Sequence, residues 1–152
     1  DWGFEAMDMA NAYSDTVRQS VCTGMCFESA SLADDTSYVD VTFNAGAYNT
    51  NANSGALETS DFSLTFSQNG GPAIAAAISS VKKDDFTSAD SASALSGGET
   101  MIRMFFIIPE TLGGIETILI KPADGNSIYN SVGTAMSAVA GISTTLNNLN
   151  GP

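Results

Sequence analysis

From Asp61 to Ser67 the chain alternates without interruption, with Phe62, Leu64 and Phe66 on one side of an extended backbone and Ser63, Thr65 and Ser67 on the other. A period of two is the signature of a strand that lays one face on a core and leaves the other in water. Tyr38 to Phe43 repeats the pattern, Val39, Val41 and Phe43 being opposed by Asp40 and Thr42. These two segments predict a sheet built from Phe27 onward, and they confine the fold to the β classes.

The rest of the chain supplies more strands and the turns between them. Thr100 to Ile108 is apolar on both faces and ends at Pro109, as expected of a central strand. Gly113-Gly114 turns into a strand over Ile115 to Lys121, and Pro122 to Asn126 is a tight-turn cluster. Asn69-Gly70-Gly71-Pro72 leads into a small-residue strand over Ala73 to Val81, marked by Ile74, Ile78 and Val81. Lys82 to Ser96 reads as a polar connection, Asn44 to Gly55 as a loop or wide hairpin rich in Asn, Ala and Gly, and Ser143 to Leu149 as a last strand. About seven strands at such spacing predict a β-sandwich. No internal repeat is visible, so 27–152 is read as one module.

The first residues differ. Ala6, Met7, Met9, Ala10, Ala12, Tyr13, Val17 and Val21 recur at mixed spacings of three and four, which predicts a short helix over Phe4 to Ser20. The opening DWGFE lacks a good cap, so an irregular arm or an added strand is the alternative. Residues 1–26 are therefore read as an N-terminal extension.

Composition narrows the function. The chain has 152 residues, 43% of them hydrophobic, enough for a single sizeable core. Seventeen acidic residues against five Lys plus Arg give a net charge of −12, which disfavours binding to a phosphate backbone, so nucleic acid is not an expected partner. There is no histidine, which removes the Ser-His and Cys-His nucleophile pairs and most zinc sites. A non-catalytic protein is expected, because no pair of carboxylates stands out for glycosidase-type chemistry and no Ser-Lys motif is marked. No run approaches the ~18 to 20 apolar residues of a membrane span.

The sequence opens at Asp1 without a methionine or leader, which is read as a mature secreted chain. Cys22 and Cys26, in VCTGMC, then predict a small disulfide loop in an oxidising compartment, the alternative being two inert thiols.

In order along the chain, SYVDVTF, LETSDFSLTFSQNGG, AAISSVKK, LSGGET, GIETILIKPADGNSIYNSVGTAMS and STTLNNL resemble the bacterial immunoglobulin-like repeats of large secreted and cell-surface proteins. The resemblance covers roughly Ser31 to Leu149. It implies an all-β, immunoglobulin-like sandwich of about seven strands behind a short helical or irregular extension, with a role in spacing, adhesion or assembly and no catalytic residues. Two departures stand out: such repeats come in tandem inside longer chains, and Asp1 to Cys26 has no counterpart in the pattern.

A lone sandwich leaves its sheet edges unpaired, and a terminal segment laid on a neighbouring copy would cover one. Self-assembly into a homopolymer is thus expected, with Trp2, Phe4, Met7 and Met9 as contact residues, although the same side chains equally suit the chain's own core. Calcium is the one cofactor weighed. Asp34, Asp35, Asp124 and Asn126 sit in loop clusters, as do Asp84, Asp85 and Asp90, and loops rich in carboxylates and amides can supply its oxygen ligands. Solvated turns are the plainer account of the same residues. Tyr38, Tyr48, Tyr129 and Trp2 are the aromatic platforms available to a cell-surface glycan, which makes an adhesion or carbohydrate-binding module the second function expected.

Overall fold

A computed structural model describes residues 24–147. Seven strands follow in chain order: β1 (Phe27–Leu32), β2 (Tyr38–Ala47), β3 (Phe62–Ser67), β4 (Ala77–Lys82), β5 (Glu99–Ile107), β6 (Thr117–Pro122) and β7 (Ile142–Thr145). A 3-10 turn, Thr59–Asp61, precedes β3. Four strands form one sheet in the order β1-β2-β5-β4, and three form a second in the order β3-β6-β7. Every pairing is antiparallel. The all-β, two-sheet expectation is met. The helix expected over Phe4 to Ser20 lies outside the described residues.

The period-two segments sit where their pattern requires. In β2, Val39, Val41 and Phe43 are buried while Tyr38, Asp40 and Thr42 are half-exposed. Register places Val39 opposite Met104 and Val41 opposite Ile102, so the central pair β2 and β5 presents one continuous apolar face. In the second sheet Phe62, Leu64 and Phe66 face Pro122, Ile120 and Ile118 across the β3–β6 ladder. The two inner faces merge into one core with Leu57, Leu112, Ile128, Met136 and Leu146 from the connections. Each large aliphatic side chain fully buried there stabilises the fold by roughly 1.5–3 kcal/mol.

Two expectations about strand limits are corrected. The segment from Asn44 is not a loop: β2 runs on to Ala47, and Tyr48 continues it in a two-way bridge with Tyr129. Asn44 supports this by taking the place of a ladder residue, its side-chain oxygen accepting from the Cys26 N–H at 2.9 Å and its amide donating to the Gly24 carbonyl at 2.7 Å. Gly46 completes it, because a Cβ there would lie 2.6 Å from the Gly98 carbonyl oxygen.

Regular pairing in β4 starts at Ala77, later than expected, and Ile74 is exposed. The register shifts between Ile78 and Ser80, a bulge that inserts one residue. That bulge is why Ile78 and Val81, an odd three apart, pair with Phe106 and Met104 on the same face.

The outer face of the larger sheet carries a polar lock. Asp40 and Arg103 are direct cross-strand partners. The guanidinium donates to both carboxylate oxygens, Nε to Oδ1 at 2.7 Å and Nη2 to Oδ2 at 2.8 Å. Its third donor reaches the Phe86 carbonyl at 2.9 Å, tying the β4–β5 connection over the sheet, and the group stacks 3.9 Å from the centre of the Tyr38 ring. A planar, bidentate, stacked arrangement of this kind is specific to arginine.

Candidate assembly surface

The two sheets meet strand to strand along one side of the sandwich, and along the other β4 meets only the Thr59–Asp61 turn that leads into β3. On the first side β1 lies against β7. Beyond β7, Leu146 N–H donates to the Glu116 carbonyl at 2.8 Å, and the Asn147 amide reaches the Ala33 and Asp34 carbonyls at 2.9 and 3.1 Å, fastening the chain to the β1–β2 turn. Asn147 N–H also donates to the Thr36 hydroxyl.

On that second side the edge strands β3 and β4 flank a shallow groove of ≈ 350 Å³. Phe62 and Leu64 line it from β3, Ala77 and Ile78 from β4, and Ala76 from the approach to β4. Thr59 and Ser60 complete its lining. No charged side chain lines it. The alternation that buries Phe62 and Leu64 toward the core also brings them to this rim, because β3 has a hydrogen-bonded neighbour on one side only. At its far end β4 is blunted, Lys82 bridging to Ala94 and Lys83 N–H donating to the Ser93 carbonyl. The stretch from Ala77 to Val81 has no such cover among the described residues. Exposed, unpaired edges beside apolar surface are where another strand adds.

The end of the molecule near the β5–β6 connection is held by Glu116. This side chain is fully buried yet has no cationic partner among the described residues. It accepts instead from backbone: Gly113 N–H at 2.9 and 3.1 Å, Gly114 N–H at 3.1 Å, Ile115 N–H at 3.3 Å and, across the sandwich, Ala73 N–H at 3.1 Å. Burial alone would raise the carboxyl pKa, and is the largest single influence on it. The backbone donors together outweigh burial, and the pKa falls below the usual glutamate value. A Cβ on Gly71 would collide with the same carboxylate, which explains the glycine there. Nearby, Asp35, Ser37, Phe106, Ile108 and Glu110 line a smaller cleft of ≈ 160 Å³.

The residues expected to bind calcium are not brought together. Asp34 and Asp35 lie in the β1–β2 turn, where Asp35 accepts from the Ser37 N–H at 3.0 Å and hydroxyl at 2.6 Å. Asp124 and Asn126 follow the far end of β6. There Asp124 accepts from Asn126 N–H at 2.8 Å and the Ser127 hydroxyl at 2.7 Å. Asn147, just after β7, contacts the first turn; β7 runs antiparallel to β6, so the two clusters sit at opposite ends of the smaller sheet. Each aspartate that makes a bond closes its own turn. Asp85, in the third cluster, accepts instead from the Ser93 N–H eight residues on, within the β4–β5 connection. Among the described residues no group of three or more His, Cys, Asp or Glu is placed to hold a metal ion.

The tyrosines weighed as glycan platforms are half-buried and engaged. Tyr38 carries Arg103 on its ring and Phe105 at 5.6 Å, while Tyr48 packs over Gly97 and Gly98 and bridges to Tyr129. Cys26 is buried; Cys22, Trp2, Phe4, Met7 and Met9 lie outside the described residues. Sequence reasoning missed Glu116, although an acid directly after Gly113-Gly114-Ile115 is a legible signal, since an unhindered turn offers backbone N–H groups to the next carboxylate. No protein-family model, no curated protein and no solved structure matches this chain.

Proposed function

We propose that the chain is a non-catalytic structural subunit of an extracellular filament or surface layer, assembling with its own copies through its N-terminal segment and its sheet edges. One observation carries this reading: the sandwich is fastened along β1 and β7, whereas β3 and β4 are edge strands that leave a shallow cleft between them, lined by Phe62, Leu64 and Ile78 together with Thr59 and Ser60. A heterologous contact of this type, made by one surface on a different surface of the next copy, propagates into a fibre unless rotation closes it into a ring.

The strand order supports the immunoglobulin-like reading. Lettered A to G in chain order, the two sheets read A-B-E-D and C-F-G, the arrangement of seven-stranded constant-type domains. The B–F disulfide and the core tryptophan of antibody domains have no counterpart among the described residues, and Val41 and Ile120, both fully buried, fill the central strands instead. A bond between Cys22 and Cys26 belongs to the same reading of an exported chain, next to the point where the extension meets β1. The glycan-binding alternative gains nothing from tyrosines already engaged by Arg103 and by backbone.

Negative-stain microscopy of the full chain tests the proposal. Regular fibres or sheets are expected, and dispersed particles of monomer size at every concentration would overturn it.

A further inference from the structure

We propose that Asn69-Gly70 is a self-modification site, where hydrolysis of the Asn69 amide to an acid unfastens the turn after β3 from the β5–β6 connection. The site stands apart from the assembly reading. Gln68 to Gly71 form a tight turn, closed by the Gly71 N–H on the Gln68 carbonyl at 2.8 Å. Its central φ angles are +53° at Asn69 and +87° at Gly70, the mirror-image turn in which Asn-Gly is a favoured pair. Both residues are exposed and the space around Gly70 is open, so water and the rearranging backbone have room. Gly70 N–H donates to no group among the described residues. The Asn69 amide is engaged: Nδ2 donates to the Ile115 carbonyl at 2.9 Å and to the Thr117 hydroxyl at 3.3 Å.

The chemistry needs only water. The Gly70 nitrogen attacks Cγ of Asn69 and closes an imide ring as the Cγ–Nδ2 bond breaks, and the proton given up by Gly70 leaves with Nδ2 as ammonia. Water then opens either ring carbonyl, giving aspartate or, with the main chain rerouted through the former side chain, isoaspartate. Glycine suits the attacking position because it puts no side chain beside the nitrogen. The product carboxylate cannot donate, so the Ile115 carbonyl loses this partner. A further negative charge joins the −12 of the chain, two residues from Gly71, which abuts the Glu116 carboxylate. Ile115 is held in two directions, its carbonyl by Asn69 and its N–H by Glu116 at 3.3 Å, so the reaction removes one of the fastenings of that connection.

The test ages the full chain at mildly alkaline pH, folded and in guanidinium, and reads each asparagine by peptide mapping with mass spectrometry. Acid is expected at Asn69 sooner than at Asn53 or Asn126, each of which precedes a serine, with isoaspartate beside aspartate. Asn150-Gly151, the other such pair in the sequence, is read separately in the same map. Because the bond to Ile115 must open before the ring closes, the folded chain should react about fivefold more slowly than the unfolded one. Equal rates would overturn the fastening role of Asn69. A folded chain whose Asn69 stays intact after the unfolded chain has converted would overturn the site. Asn69→Asp supplies the product without ageing and should melt about 4 °C below wild type, from the loss of the Ile115 bond. An unchanged melting temperature in that variant would overturn the unfastening.

Discussion

Replacing Glu116 should separate two roles of one carboxylate. Its Oε2 holds the buried Ala73 N–H and shares Gly113, while Oε1 holds Gly113, Gly114 and Ile115, which lie nearer solvent. In Glu116→Gln the remaining oxygen keeps the Ala73 bond, and the new NH2 group faces donors that water reaches. Two or three bonds of roughly 0.5–1.5 kcal/mol each are lost, so a destabilisation of about 2 kcal/mol is expected. Glu116→Ala also strands the Ala73 N–H, adding roughly 1–3 kcal/mol and bringing the total to about 4 kcal/mol. At ~4 °C per kcal/mol for a domain of this size, the melting temperature should fall by about 8 and 16 °C. Urea unfolding followed by circular dichroism reads both values. The folded pKa of Glu116 is lowered, so its contribution is fully present above the unfolded value near 4.5 and is lost as pH falls through the folded pKa. Wild type and Glu116→Gln should therefore converge in acid. A loss under 0.5 kcal/mol in Glu116→Ala, or a gap that does not narrow with acid, would refute the reasoning.

Gly71→Ala should cost roughly 1–3 kcal/mol, because its Cβ meets the Glu116 carboxylate, and Gly125→Ala, with open space around it, should change stability by less than about 0.5 kcal/mol in the same assay. Arg103→Lys keeps the charge but loses the two-pronged bond to Asp40 and the stack on Tyr38, so a loss of about 1–2 kcal/mol is expected in thermal melts. Asp35, Asp85, Glu99, Glu116 and Asp124 all have lowered pKa values. Stability should thus decline below about pH 4.5, offset in part by Asp61, whose carboxyl is raised by burial and contributes with the opposite sign. Thermal melts between pH 3 and 7 measure the net slope. Intact mass under non-reducing conditions should be about 2 Da below the reduced mass, the loss of two hydrogens that a bond between Cys22 and Cys26 requires.

The sheets were legible because their strands are polar on the face that meets water. Val39, Val41 and Phe43 had to share one side of β2, and no helical period competes with that pattern. What escaped the sequence were features made by pairs of distant residues. Asn44 reads as a loop former until Gly24 and Cys26 are beside it, and its amide then serves the ladder. The bulge in β4 shifts the period by one residue, so Ile78 and Val81 look mismatched although they share a face. Asp40 and Arg103 lie 63 residues apart, and nothing local announces that they are cross-strand partners. The carboxylate clusters have a local account: Asp35 and Asp124 are turn acceptors for residues two or three positions on, so their proximity in sequence describes turns. The open groove required the sheet order, because β3 and β4 are recognisable as strands but not as facing edges.

Sedimentation velocity of the full chain across a hundredfold concentration range, beside a chain lacking Asp1 to Gln19, bears most directly on assembly through sheet edges. The full chain should shift from monomer to large polymer as concentration rises, and the shortened chain should remain a folded monomer. A full chain that sediments as a monomer throughout, or a shortened chain that polymerises equally well, would contradict the account.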